Sequence, residues 1–216
     1  MQPAGPPYCE TVPTTDLEAL LVWRRDVRHF DARPISKVEM ERLFAAAQLA
    51  PSVGNAQPWR FLRIRTPAIR TALADHVDDA ARQAGMRYDE GERHALYASL
   101  KLHGLREAPE IVAVFSDDAP IEGHGLGIAT MPEALRYSTV LAIHTLWLTA
   151  QSRGIGLGWI SILDLAYVAK QLDAPPTWHF MALLCLGYPQ TPSDRPELER
   201  RGWQARQDWR ANVSER

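Results

Sequence analysis

The chain has 216 residues, of which 46% are hydrophobic and 23% charged, a composition typical of a globular protein. Its 24 basic residues, only three of them Lys, are nearly balanced by 26 acidic residues, so the formal net charge is -2. This balance excludes a generally basic nucleic-acid-binding protein, whose affinity depends on excess positive charge. It does not exclude a local cluster of Arg residues that binds phosphate.

The two cysteines, Cys9 and Cys185, are too few for a disulfide framework, and no Cys/His spacing is typical of a zinc site. The N-terminal residues lack the basic and apolar regions of a signal peptide. No uninterrupted apolar run approaches the roughly 18 residues that a membrane span needs. The sequence therefore predicts a cytoplasmic protein with no metal site and no membrane partner.

Residues 1–14, which contain four Pro, are expected to form an extended arm, and residues 15–216 a single domain. Sequences typical of capping boxes begin at Thr15 and Ser36 and predict two helices. The first is expected to extend to about Arg28, and the second to end at Pro51.

Further helices are predicted at 67–84, after a polar gap at 86–92 to about Arg106, at 132–153, and in a short segment capped by Asp164. Short apolar runs predict strands at 59–65, 111–116, 156–162 and 178–186. Strands separated by long helices indicate a mixed α/β layer protein. The tail after Gly187 is expected to be irregular and is long enough to wrap a partner subunit.

Three Arg residues, Arg24, Arg25 and Arg28, lie within five positions at the end of the first predicted helix. Residues three or four apart on a helix are neighbours, so these side chains would repel one another without an anion. A phosphate would accept charge-assisted hydrogen bonds from such a group. The alternative is a solvated helix face on which Asp26 is the local counter-charge.

Two other segments are candidates for ligand contact. The loop at 50–59 carries Ser52, Asn55 and Gln57, and it is either a tight turn or a surface that presents polar groups to a planar ligand. Glycines at 154, 156 and 158 would allow something to approach the backbone closely. They precede a predicted strand, so they do not form a dinucleotide-binding fingerprint.

In this order the three segments resemble the flavin-binding nitroreductase family. Within it the chain is similar to the branch of 5,6-dimethylbenzimidazole synthases (BluB), in RRDVR at 24–28, SLKLHG at 99–104, GWIS at 158–161 and GW at 202–203. Ordinary nitroreductases usually have Ser or Thr in place of Asp26. The resemblance implies an α+β fold in which a central, mostly antiparallel mixed sheet is flanked by helices, and an intertwined homodimer that holds FMN at its interface.

The resemblance also implies a reaction. Reduced FMN would be fragmented with O2 to 5,6-dimethylbenzimidazole, the lower ligand of vitamin B12, and erythrose 4-phosphate. A flavin reductase would supply the reduced FMN, and direct use of NAD(P)H stays open. Two alternatives stay open as well: an ordinary NAD(P)H-dependent FMN nitroreductase, and a flavin carrier or interaction domain that has no enzymatic activity.

The same resemblance implies the roles of site residues. Asp26 and Ser161 would be catalytic, with Ser161 giving a hydrogen bond that positions the reacting oxygen, the flavin ring or the ribityl group. The loop residue Asn55 and its neighbours would come from the other subunit. The residues expected to bind the cofactor are Arg24, Arg25, Asp26, Val27, Arg28, Ser52, Gly54, Asn55, Leu100, Gly158, Ser161 and Arg201. In the tail, Arg200 and Arg206 are further candidates for the phosphate, and the spacing does not decide among the three.

Asp26 carries the most specific expectation. A carboxylate among three Arg residues should stay ionised, because neighbouring positive charge favours the charged form. An ionised carboxylate beside the ribityl chain would accept or shuttle a proton during fragmentation. The alternative is an ion-pair partner for the Arg residues that takes no part in the chemistry.

Overall fold

The structure is a computed structural model that describes residues 16–88 and 91–216. The extended arm expected at 1–14 lies outside these residues. The helices are α1 (Leu17–Trp23), α2 (Lys37–Ala47), α3 (Pro67–Gly85), α4 (Glu92–Ser99), α5 (Ala134–Ser152), α6 (Leu165–Gln171) and α7 (Glu197–Arg200). The strands are β1 (Trp59–Arg63), β2 (Glu110–Asp117), β3 (Gly156–Ile160) and β4 (Trp178–Gly187).

The four strands form one sheet in the order β1-β2-β4-β3, and each neighbouring pair is antiparallel. An isolated parallel bridge between Asp26 and Leu157 adds a short extended segment beside β3. The expected α+β class and mostly antiparallel mixed sheet are therefore confirmed. All four predicted strands are present, and their bounds differ from the expectation by one or two residues.

Strand β2, inside the sheet, is buried along nearly its whole length, which shows that both faces of the sheet are covered. Alternate residues of β2 and β4 point to opposite faces. One face packs against α3 and α6 through residues such as Leu73 and Val168. The other packs against α2 and α5 through residues such as Leu43 and Ile143. The result is a layered structure in which the loops at the sheet edges are free to form a site.

Helix α1 is shorter than predicted. Asp16 caps it by accepting hydrogen bonds from the N–H groups of Glu18 (3.0 Å) and Ala19 (3.3 Å). The expected cap, Thr15, lies outside the described residues. The helix ends at Trp23 instead of near Arg28. The placement of Arg24, Arg25 and Arg28 on one helix face is therefore wrong.

A long-range contact explains why the helix stops early. The backbone N–H of Val27 donates to the carbonyl of Leu157 (3.0 Å), so the chain after Trp23 is extended and runs beside β3. Gly156 and Gly158 allow this approach. A Cβ atom on Gly158 would lie 2.2 Å from the Val27 carbonyl oxygen. The close approach predicted for these glycines is confirmed, and the segment that approaches them belongs to the chain itself.

Two further helices, α2 and α6, start at their predicted capping residues. Ser36 accepts a hydrogen bond from the N–H of Glu39 (3.2 Å), and Asp164 accepts one from the N–H of Tyr167 (2.9 Å). Helix α4 ends at Ser99 and not near Arg106. The following residues leave the helix and pack against the extended segment, where Gly104 contacts the ring of Phe30.

Within the described part of the chain, no helix is long and apolar enough to cross a membrane. The same residues contain no group of three or more His, Cys, Asp or Glu side chains that could hold a metal ion.

Candidate functional site

The extended segment after α1 lines a cavity of about 270 Å³, here called the basic cavity. Its floor is formed by Arg25, Asp26, Val27 and Arg28, and the C-terminal tail covers it from the other side. The tail contributes three further cations, Arg195, Arg200 and Arg201. The structure therefore brings together two regions of the sequence that lie about 170 residues apart, as their numbers show.

Arg25 is buried, with 9% of its surface exposed, although it carries a charge. Its Nη2 atom donates to the carbonyl oxygens of Leu21 (3.3 Å) and Val22 at the end of α1. Its Nε atom is buried and makes no hydrogen bond with the described residues. Burial lowers the pKa of Arg25, and the nearby charges of Arg24 and Arg206 lower it further. Because Nε is enclosed by protein atoms, Arg25 would meet an anion such as a phosphate only through the part of its side chain that lines the cavity.

Arg24 lies outside the lining of the basic cavity. Its guanidinium group stacks over the Trp147 ring, with the Cζ atom 4.6 Å from the ring centroid. Burial, followed by the charge of Arg206, lowers the pKa of Arg24. The three arginines of the predicted cluster thus divide between two places because the backbone is extended and not helical.

Asp26 is held at both carboxylate oxygens. Oδ1 accepts a hydrogen bond from the backbone N–H of Trp159 (2.8 Å), and Oδ2 accepts one from Nε of Arg28 (2.9 Å). Arg28 is held in turn, because its Nη1 atom donates to the carbonyl of Lys101 (3.0 Å). These contacts fix the carboxylate at the floor of the cavity.

The pKa of Asp26 is raised above its usual value. Burial raises it most, whereas Arg28, the Trp159 N–H and Arg24 hold it down. The expectation that the arginines would decide the balance is therefore wrong, since the cost of desolvating the carboxylate is larger. A carboxylate with a raised pKa is a better proton acceptor near neutral pH than an ordinary one.

Asp26 also borders a narrow pocket that contains Gly158, His103 and Cys185. Cys185 is fully buried, and burial raises the pKa of its thiol to about 12. The thiol is therefore protonated at neutral pH and is not a nucleophile. Gly158 faces this pocket and the backbone of Val27, so its role in the described chain is to let Asp26 sit close to β3.

Ser161 is exposed and directly follows β3. It lines a separate cavity of about 620 Å³ together with His76, Asp79 and Gln83 of α3. The structure therefore does not bring Ser161 and Asp26 into one cavity. Leu100 is buried next to Lys101, whose carbonyl binds Arg28, so it lies beside the site without lining the basic cavity.

The loop that carries Ser52, Gly54 and Asn55 lies elsewhere in the chain. Ser52 Oγ accepts a hydrogen bond from the N–H of Gln57 (3.1 Å), which closes the loop on itself. Gly54 has a φ of 55°, and a Cβ atom there would lie 2.8 Å from the carbonyl oxygen of Leu126. None of these three predicted residues lines the basic cavity. Their contact with a ligand at the partner's site stays a prediction.

The sequence interpretation assigned Arg201 to the site, left Arg200 and Arg206 open as further candidates, and missed Arg195. The basic cavity is lined by Arg195, Arg200 and Arg201, and not by Arg206. The C-terminal region is rich in Arg, but its spacing alone does not show which side chains reach the site. The signal that could have found them is Trp203, whose contacts fix the tail against the rest of the chain.

Comparison with known proteins now adds to this geometry. The model of the Nitroreductase family matches residues 21–188, which is most of the chain. The chain belongs to the nitroreductase family. The matched range includes the extended segment at Asp26 and all four strands.

Two curated relatives are similar over nearly their whole length. A 5,6-dimethylbenzimidazole synthase of Rhodospirillum rubrum is 54% identical over 192 residues, which cover 88% of this chain and 90% of the relative. A 5,6-dimethylbenzimidazole synthase of Rhodobacter capsulatus is 48% identical over 188 residues, which cover 87% and 90%.

Among solved structures, an iodotyrosine deiodinase bound to FMN and 3-iodo-L-tyrosine has a TM-score of 0.69 and 24% identity. The match covers 82% of this chain and 92% of the deiodinase. At this level of identity the likeness shows the fold, and the FMN belongs to the deiodinase.

Proposed function

We propose that this nitroreductase-family protein is a 5,6-dimethylbenzimidazole synthase, which fragments reduced FMN with O2 to 5,6-dimethylbenzimidazole and erythrose 4-phosphate. The similarity to the two curated synthases supports this reaction. The observation that carries the proposal is the partly buried Asp26 carboxylate, whose pKa is raised, at the floor of a cavity lined with Arg residues. Such a site can bind a ligand that carries a phosphate and can supply a proton acceptor to it.

The basic cavity would hold the phosphate and the ribityl oxygens of FMN. Arg25 would contribute positive charge to the cavity lining, and Arg28 presents a side chain already fixed by Asp26 and Lys101. Arg201 and its neighbours in the tail add positive charge from the opposite side. The flavin supplies the carbon skeleton of the product and the reactivity towards O2, whereas the protein supplies orientation and proton handling.

Asp26 would take up a proton from the ribityl side of the ligand. Oδ1 and Oδ2 are fixed by Trp159 and Arg28, so the carboxylate needs no reorganisation when it acts. Ser161 would donate a hydrogen bond at the ring end of the ligand, from the exposed turn after β3. It would therefore act on a different part of the ligand from Asp26.

A second copy of the chain would complete the site. Helix α5 carries exposed apolar side chains, among them Tyr137, Val140 and Leu141. A homodimer formed there would bring Ser52, Gly54 and Asn55 of one subunit to the ligand of the other.

The tail packs on its own chain at Trp203, and Arg206 beyond it is near enough to lower the pKa of Arg24 and Arg25, whereas Trp209 and Val213 are exposed. Wrapping of the partner by the C-terminal tail stays a prediction. A flavin reductase as the source of reduced FMN, direct use of NAD(P)H, a cytoplasmic location, and a single domain at 15–216 stay predictions.

The test is to supply the purified protein with reduced FMN and air and to separate the products by chromatography. The expected result is 5,6-dimethylbenzimidazole, formed in step with loss of flavin. Repeated reduction of a nitro compound by NAD(P)H with the flavin intact would identify an ordinary nitroreductase. Recovery of unchanged FMN from the protein would identify a carrier. Either result would contradict the proposal.

A further inference from the structure

Trp203, in the C-terminal tail, is enclosed by side chains from the region around α4. The Tyr88 ring meets it edge-on with centroids 5.4 Å apart, and the Tyr97 ring lies 6.1 Å away. The Arg93 guanidinium lies over the indole, with Cζ 4.9 Å from the ring centroid. Arg93 Nη1 also donates to the carbonyl of Trp203 (3.2 Å). The tail is therefore anchored at this point by aromatic, cation–π and hydrogen-bonding contacts.

A second anchor lies 13 positions earlier in the sequence. The backbone N–H of Gln190 donates to the carbonyl of His29 (3.1 Å), and its side-chain amide donates to the carbonyl of Phe30 (2.9 Å). Residues 190–203, here called the tail segment, are therefore fixed at both ends. Between the anchors the segment passes over the basic cavity and contributes Arg195, Arg200 and Arg201 to its lining.

Trp203 is directly coupled to α7, the helix that ends at Arg200 and is followed at once by Arg201. Its backbone N–H donates to the carbonyl of Leu198 in α7 (2.8 Å). Arg200 and Arg201 precede Trp203 by three and two positions. Trp203 itself does not line the basic cavity. Any effect of its side chain on a ligand there must pass through the position of the tail segment.

We propose that Trp203 is a positioning residue for phosphate recognition, because it holds Arg200 and Arg201 of the tail segment over the basic cavity. This inference rests on the proposed binding of FMN. Without the Trp203 anchor, the tail arginines would have to be ordered when the ligand binds. Ordering long side chains and a loop on binding costs affinity. The cost would fall on ligands that carry a phosphate.

The first experiment measures FMN binding to the full chain by quenching of flavin fluorescence. Trp203→Ala is expected to raise the Kd for FMN about tenfold, whereas Trp203→Phe, which keeps an aromatic ring, should stay within about threefold. Trp209→Ala is the matched control, because Trp209 is a 64% exposed tail residue stacked on Arg210. It should bind FMN like the wild type.

A double-mutant cycle tests whether Trp203 acts through the arginines. In an Arg200→Gln/Arg201→Gln background, Trp203→Ala should weaken FMN binding by less than about twofold, because the groups that it positions are gone. An undiminished tenfold effect in that background would overturn the inference. Riboflavin, which lacks the phosphate, should bind the Trp203→Ala variant and the wild type equally, and an equal loss for both ligands would also overturn it.

Folding of Trp203→Ala is checked by circular dichroism and thermal unfolding. If the variant does not fold, Arg93→Gln replaces it, because Arg93 is exposed and its removal weakens the same anchor. This variant should show a smaller loss, about threefold, with the same dependence on the phosphate. Unchanged FMN binding in the folded variants would overturn the inference while leaving the proposed function intact. A wild type that binds no FMN would instead contradict the proposed function.

Discussion

Two carboxylates in this protein are each hydrogen-bonded to Arg, yet their pKa values move in opposite directions. Glu39, in the first turn of α2, accepts hydrogen bonds from Arg153 and from Arg42 (2.8 Å), and the Arg153 bond lowers its pKa most. Asp26 accepts hydrogen bonds from Arg28 and Trp159, but burial raises its pKa. An Arg partner alone therefore does not determine whether a carboxylate becomes more or less acidic.

Exposure of the side chain does not explain the difference either. The exposed fraction is 30% for Asp26 and 22% for Glu39. The surroundings of the two carboxylates differ. The exposed part of Asp26 faces a cavity walled by the extended segment and the tail, whereas Glu39 lies on an outer helix face. Protein atoms around a cavity exclude water over a longer range, so the depth of a carboxylate matters more than its contact area with solvent.

The largest effect is expected for activity. Asp26→Asn removes the proposed proton acceptor but keeps the size of the side chain, so product formation from reduced FMN and O2 should fall by about 100-fold or more. FMN binding should be retained. Rates are measured by product chromatography at saturating FMN.

Glu39→Gln is the control for this change, because it also neutralises a carboxylate that is paired with Arg. It should leave product formation unchanged. Equal losses of activity in the two variants would show that the comparison has no functional meaning.

A large effect on stability is expected when Asp26 loses its cation. Arg28→Met leaves the carboxylate in the cavity with only the Trp159 N–H, and should lower the free energy of unfolding by about 2 kcal/mol at pH 7. The loss should shrink as the pH falls, because Asp26 takes up a proton more readily in the folded variant. Urea unfolding between pH 4 and 8 measures both. A loss that does not vary with pH would show that Arg28 does not stabilise the ionised form of Asp26.

A smaller effect on stability is expected for Glu39 and its two Arg partners. Glu39→Gln should lower the free energy of unfolding by about 1 kcal/mol at neutral pH, since the charge-assisted bonds to Arg153 and Arg42 are weakened. A lowered folded pKa contributes stability that is complete above the unfolded value, about 4.3. That contribution is lost as the pH falls through the folded pKa. The advantage of the wild type over this variant should therefore grow as the pH rises from about 3 to 6.

Asp26→Asn should show the opposite pH dependence, which sharpens the comparison. When the pKa of Asp26 is higher in the folded state than in the unfolded state, protonation of Asp26 favours folding and its ionisation disfavours folding. The stability of the wild type relative to Asp26→Asn should therefore fall as the pH rises from the unfolded pKa, about 3.9, through the raised folded pKa. Parallel curves for the two variants would show that both carboxylates are in the same environment.

The sequence predicted those parts of the structure that depend on neighbouring residues. Ser36 and Asp164 cap helices because a side-chain oxygen meets an N–H group three positions away. The four strands are apolar runs bounded by turn residues, and each lies where it was predicted. The position of Asp26 between Arg25 and Arg28 could be predicted as well, because it requires only the sequence.

The errors lie where distant parts of the chain meet. The end of α1 depends on a hydrogen bond between Val27 and Leu157, and no local pattern near Trp23 reports it. The pKa of Asp26 depends on the depth of a cavity, which a count of neighbouring charges does not contain. The choice among the tail arginines depends on the contacts of Trp203 with α4 and its surroundings.

The bridge between Asp26 and Leu157 has a consequence for the newly made chain. During synthesis the N-terminal part of a protein emerges first. Asp26 is therefore in water, with an ordinary acidity, until Leu157 and Trp159 have been made and have paired with its segment. The carboxylate acquires its altered acidity only in a nearly complete chain. A fragment that ends before β3 would contain Asp26 and the three nearby arginines, but its Asp26 would lack the backbone hydrogen bond from Trp159 that fixes the carboxylate.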